Sequence, residues 1–362
     1  MLVPSPSISF ALLATAIASS LATPLPSSQI HSRSLPTQTI AKFNETRTCL
    51  ENIVVRANGD LLATMLYPNA SLWTVRQPIT TESELSLVHT FADATGITGI
   101  TETNTPDTFI VASGRYSDIG KQIAGTQAVW EISLREYERG RAPSVRKIVA
   151  IPSAGFLNSL ASLPLPARDA VLATDSARGL LYRIDTRTGA YDVALNVSET
   201  QFLPTATGAG GQLDSSFAAN GIKVRDGHVY WSNSNRLAIF RTALDAQGYP
   251  AANAPVETVA TIPTASFVDD FTFDAEGGIW AATNFDNDVY TIQEDRKPKA
   301  EIAVGGAQQL TVPGDSAVAF GRTAEDDYIL YASTFGGAAV PINGSIVVPG
   351  GIVAIDTRGH LY

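Results

Sequence analysis

Three stretches of the chain share one pattern of apolar and polar positions. They are ENIVVRANGDLLATML from Glu51, NGIKVRDGHVYWSNSN from Asn220 and DDFTFDAEGGIWAATN from Asp269. Each opens on polar or small residues, alternates apolar and polar positions, turns at a Gly, and alternates again before ending in small polar residues. Alternation with a period of two marks strands, and ANGD, RDGH and AEGG are hairpin turns in which Gly supplies the positive φ. Weaker copies begin at Thr98 (TGITETNTPDTFIVAS), Asn158 (NSLASLPLPARDAVLATD) and Asp315 (DSAVAFGRTAEDDYILYAST).

Every copy runs on into a third strand, such as SLWTV, AVWEISL or AIFRTAL, and five of the six have a fourth, such as LSLVHTF or VETVATIP. The sixth reaches Tyr362 without one. A spare strand, TQTIAKF, stands before the first copy. Six four-stranded units at intervals of about 46 to 62 residues predict an all-β, six-bladed β-propeller closed by its N-terminal strand. Closure removes an edge that would invite aggregation. The propeller is expected over residues 35–362, after a signal peptide (1–23) and a flexible segment (24–34).

In a propeller the innermost strands line a central channel, so equivalent positions converge on the axis. The first residue of each copy is Glu51, Thr98, Asn158, Asn220, Asp269 or Asp315. Carboxylates and carboxamides gathered on one ring need partners. A divalent cation with oxygen ligands, Ca²⁺ or Mg²⁺, suits them; ordinary strand-start capping by Asn and Asp is the alternative.

Composition narrows the function. A net charge of -10 with no Lys/Arg run argues against nucleic acid. The apolar run near Ile8–Ala18 is too short to span a bilayer and reads as a secretory leader. Sequons at Asn44, Asn69, Asn196 and Asn343 agree with a secreted or secretory-lumen glycoprotein. Cys49 is the only cysteine, which excludes an intramolecular disulfide and is expected as a buried thiol. His31, His89, His228 and His360 all fall away from the inner-strand starts, so a serine triad is not expected. GAGGQ at Gly208 is too short and misplaced for a phosphate loop. Trp73, Trp130, Trp231 and Trp280 fall on second and third strands and read as core.

With these residues in place, the chain resembles the SMP-30/gluconolactonase-like family of six-bladed propellers. The resemblance implies metal ligands at Glu51 (LENIVV), Asn158 (FLNSLA), Asn220 (AANGIKV) and Asp269 (VDDFTFDAEGGIW). Two departures from the lactonase pattern are visible: SLASLPL follows Asn158, and Asp270 replaces the usual Gly, which would crowd the substrate side. The leader, LENIVVRANGDLLAT and GITGI are similar to a fungal secreted branch that includes hetero-Diels–Alderases of tropolone sesquiterpenoid biosynthesis. That likeness implies a pericyclase joining a tropolone o-quinone methide to a humulene-type sesquiterpene, without a redox cofactor. The alternatives are a metal-dependent lactonase or esterase, and a non-catalytic binding propeller.

A cycloaddition needs two apolar partners held in a near-attack arrangement and a donor to polarise the heterodiene. Candidate catalytic residues are Asp269, Asp270, Asn233 and Asn284. Candidate substrate contacts at second-strand ends and adjoining loops are Thr64, Ser113, Asp175, Thr334, Phe267 and Phe285, with Phe156, Phe202, Phe217 and Phe335 as further walls. The long insert ETQFLPTATGAGGQLDSSFAAN is expected to cover the site.

Overall fold

A computed structural model describes residues 34–80, 83–203, 217–293 and 299–360. The leader, the segment up to residue 33 with His31, and residues 204–216 of the long insert lie outside them. Among the described residues are six four-stranded antiparallel sheets and one two-stranded ribbon. The inner strands are Cys49–Val55, Gly96–Glu102, Leu157–Ser162, Ala219–Arg225, Phe271–Phe273 and Asp315–Phe320, numbered here as blades 1 to 6. Thr37–Lys42 pairs antiparallel with Gly351–Asp356 and completes blade 6, Thr37 opposite Ile355 and Lys42 opposite Gly351. The spare strand therefore closes the ring as the pattern predicts. No described helix is long and apolar enough to cross a membrane.

The hydrophobic core is divided into wedges between neighbouring blades. Blade 1 packs Leu50, Ile53 and Leu61 against Ala317, Tyr331 and Ile352 of blade 6. Trp280 of blade 5 is wholly buried with Val318 and Leu330 of blade 6. Trp231 of blade 4 is buried with Leu172 and Leu181 of blade 3. Trp73 and Trp130 pack part-buried into the wedges on either side of blade 1. Each wedge exists because alternate residues of a strand face opposite sides, so both faces of a blade are apolar and both need a neighbour. The hairpin glycines Gly59, Gly227 and Gly277 have φ of 89°, 74° and 97°, the conformation their turns require. Cys49 is a free, fully buried thiol whose pKa burial pushes up.

One irregularity recurs where it matters. The inner strands of blades 1, 2, 3, 4 and 6 slip register at their start: between Leu50 and Asn52, Ile97 and Ile100, Leu157 and Leu160, Ala219 and Ile222, and Asp315 and Ala317. Such bulges break pairing locally and re-aim a side chain. Glu51, Thr98, Asn158 and Asn220 all stand inside them.

Candidate functional site

Glu51, Asn158, Asn220 and Asp269 line one cavity of about 260 Å³ at the end of the channel. All four are buried, so they form its floor. Asn284 joins them, its Nδ2 donating to Asp269 Oδ2 at 2.8 Å. Asn284 has φ of 55°, a left-handed turn that Asn tolerates better than most side chains. Thr98 and Asp315, the other two blade starts, are buried but do not line the cavity. Thr98 Oγ1 donates to Leu157 O at 2.7 Å, and Asp315 accepts from Thr283 N at 3.1 Å.

One wall of the cavity is aromatic. Phe156, Phe217, Phe267 and Phe285 follow one another with ring centroids 5.1, 6.0 and 4.3 Å apart. Phe335 lines it as well. Phe202 is not among the lining residues. None of the described histidines is either: His89 lies on an outer strand, His228 starts a second strand, and His360 packs against Trp280.

The electrostatics of the floor follow from crowding. Burial, then the charges of Asp269 and Asp270, hold the Glu51 carboxyl well above the usual range. Burial raises Asp269 to about 8, aided by Asp270 and opposed by the Asn284 bond. Two carboxyls that resist ionising face two carboxamides, and Asn220 Oδ1 is buried without a partner. This all-oxygen donor set fits a hard divalent cation. Among the described residues no group of three or more His, Cys, Asp or Glu is arranged to hold a metal, so a cation here depends on the Asn pair.

Several expected contacts lie elsewhere. Asp270 does not crowd the substrate side, because the backbone turns it below the floor. There it accepts from Asn52 Nδ2 at 2.8 Å, Ser159 Oγ at 2.9 Å, Lys223 Nζ at 2.5 Å and its neighbour Phe271 N at 2.7 Å. Thr64 Oγ1 accepts from Asn52 N and donates to Thr98 O of the next blade. Ser113 Oγ accepts from Trp130 Nε1 at 2.9 Å and donates to Ala128 O at 3.4 Å. Asp175 accepts from Gly155 N and Phe156 N at 2.8 and 3.0 Å, so it holds the loop that presents Phe156. Asn233 binds the carbonyls of Glu199 and Gln201, both at 3.0 Å. Thr334 accepts from Gly351 N at 3.0 Å and lines a separate hollow with Thr39 and Lys42. These five polar groups sit at strand ends as expected, but they satisfy backbone groups that the blade junctions bury.

Sequence reasoning missed the other side of the cavity. Arg47 lines it, with Asp118, Ile119, Gly120 and Lys121 of the ribbon Tyr116–Asp118/Lys121–Gln122, which is inserted in blade 2. The ribbon lies outside the repeated unit, so the repeat could not point to it. The only signal was the extra length between the second and third strands of blade 2. The four sequon asparagines are exposed.

No family model matches the chain. It is 29% identical over 338 residues to “Putative hetero-Diels-Alderase asR5” of Sarocladium schorii, spanning 87% of this chain and 82% of that one. A protein of Phoma sp with the same designation is 32% identical over 306 residues, spanning 79% of this chain and 83% of the other. Regucalcin of Agrobacterium tumefaciens, a calcium-binding protein, superimposes with a TM-score of 0.57 over 90% of this chain and 96% of its own at 13% identity, a likeness of fold. With 32% identity over 306 residues and 83% of the Phoma sp protein spanned, this six-bladed propeller belongs to the family that these two proteins, each named “Putative hetero-Diels-Alderase”, represent.

Proposed function

We propose that the chain catalyses an intermolecular hetero-Diels–Alder cycloaddition, joining a tropolone-type o-quinone methide to a humulene-type alkene of secondary metabolism. The observation that carries this reading is the division of one cavity into a continuous Phe wall and an oxygen-rich floor. The wall offers apolar contact and ring-edge packing to both partners. The floor offers polar groups to the heterodiene oxygen, whose charge grows as the new bonds form. No proton has to be shuttled, which suits a cavity with no His among its described lining residues.

Glu51, Asn158, Asn220 and Asp269 are the residues that would hold a Ca²⁺ or Mg²⁺ ion. When bound, such an ion polarises a carbonyl oxygen as a Lewis acid. Without it, Asp269, which burial raises to about 8, keeps its proton at neutral pH, and a buried neutral acid donates a hydrogen bond to the same oxygen. Asn284 fixes Asp269 through its Nδ2. Phe267 and Phe285, the most closely spaced pair in the wall, define the face against which one partner lies.

We further read the chain as a glycosylated protein of the secretory pathway, supported by the leader and by the exposure of all four sequon asparagines. The cycloaddition is tested by incubating purified protein with a tropolone quinone-methide precursor and humulenol. One stereoisomer of the adduct is expected in excess over the mixture formed without protein. An identical product distribution with and without protein overturns the reading, and turnover of simple lactones in its place supports a hydrolase.

A further inference from the structure

Arg47 carries the clearest unexplained feature of the cavity. It is one of two cationic side chains among the described lining residues, the other being Lys121. Its backbone is left-handed, with φ of 61°, a conformation that a residue with a Cβ adopts only when its surroundings impose it. The guanidinium lies 5.3 Å from the centre of the Tyr67 ring, and Nη2 donates to Asp118 Oδ1 of the blade 2 ribbon at 2.6 Å. No other hydrogen bond of the fork is present among the described residues, so most of its five donors remain available. The side chain is 47% exposed, at the rim and opposite the buried floor. The ribbon tip meets the aromatic wall: a Cβ at Gly120 would stand 3.5 Å from the Phe217 ring.

We propose that Arg47 is a specificity-determining residue that recognises the ionised oxygen of a planar, acidic ring ketone, the tropolonate type, while the ring lies along the Phe wall. This rests on the cycloaddition reading. The reason is electrostatic complementarity within one cavity. The described floor residues Glu51, Asn158, Asn220 and Asp269 include no cationic side chain, whereas the rim brings a guanidinium whose planar fork matches two adjacent oxygens. An acidic ring therefore binds with its oxyanion toward the rim. Asp118 acts as a place-holder, keeping the guanidinium aimed at the cavity until the ligand oxygens share it.

Equilibrium dialysis tests this, with tropolone and its O-methyl ether as probes. A chelator is present because tropolone also binds cations, and the pH is one at which tropolone is ionised. The intact protein is expected to retain tropolone and to bind the ether at least tenfold more weakly. Arg47→Ala and Arg47→Gly should lose about tenfold or more in tropolone affinity, the effect of one charge-assisted contact. Arg47→Lys should recover part of it. Arg47→Gly should melt no lower than the parent, since Gly relieves the left-handed backbone, which separates recognition from a merely structural ion pair. Asp118→Asn should tighten binding severalfold. Equal affinity for tropolone and ether, or Arg47→Gly binding within twofold of the parent, overturns the assignment. If tropolone binds through Arg47 but no cycloaddition is accelerated, the functional reading falls and this one stands. If Arg47→Gly forms adduct with unchanged KM, this assignment falls and the functional reading stands.

Discussion

Asp269 and Asp270 are neighbours in sequence and opposites in the molecule. Asp269 stands in the upper layer of the channel, with Glu51, Asn158 and Asn220, facing the cavity. Asp270 stands one layer down, among the residues that follow those three: Asn52, Ser159 and Gly221. Asn52 and Ser159 donate to it. Gly221 leaves room for it, since a Cβ there would lie 2.4 Å from Asp270 Oδ1. The upper layer concentrates acid without a counter-charge, whereas the lower layer neutralises its acid with Lys223 and saturates it with donors. Unpaired buried polar groups cost stability and are retained where chemistry uses them. The upper layer is thus the candidate site and the lower one its support.

Mutation should separate the two layers most sharply at this pair. Asp270→Ala leaves Lys223 without its partner and is expected to cost about 3 kcal/mol or more in denaturant unfolding. Asp269→Ala should unfold no more readily than the parent in chelator, yet lose adduct selectivity. If Asp269→Ala is the less stable of the two, the division of labour is wrong. Next in size is pH. Asp269 holds its proton up to about 8 when folded but gives it up near 3.8 when unfolded. Between those values the native state binds the extra proton, so stability falls as pH rises, by up to about 1.4 kcal/mol per unit. Asp269→Asn should flatten that slope in thermal melts recorded with chelator from pH 4 to 8. A slope unchanged in Asp269→Asn would assign the titration to another group.

Phe267→Ala opens the wall, and about a tenfold loss of adduct formation with an eroded stereoisomer ratio is expected. Chromatography of the products on a chiral phase reads both. The smallest effect belongs to Thr64→Val, which removes the bonds to Asn52 N and Thr98 O without touching the cavity. A loss of about 1 kcal/mol with normal product is expected, and altered product would return Thr64 to the site.

The repeat in the sequence carried the architecture a long way. Alternation and turn glycines were enough to place six blades and the closing strand, because a period-two pattern leaves few alternatives once it recurs. Four of the six blade starts were legible as a floor for the same reason, since equivalent positions of a closed ring converge, whereas Thr98 and Asp315 bind backbone of the adjacent blades instead. Less legible was the direction of each side chain around a bulge. Asp270 reads like a second site acid, but one residue along a strand reverses the face. Thr64, Ser113 and Asn233 read like a polar mouth, yet a blade junction buries backbone groups, and these side chains satisfy them. Arg47 and the ribbon escaped altogether, because pattern matching sees what repeats and they occur once.

The lower layer has a further consequence for how such a propeller can change. Blades 1, 3 and 4 are each tethered by a side chain to the single Asp270 carboxylate of blade 5, and its own N–H reaches Ser316 O of blade 6 at 3.1 Å. Like spokes fixed to one axle, the blades cannot spread independently. A larger or differently shaped guest has to be accommodated by rebuilding the crown of loops above, with the wheel beneath left as it is.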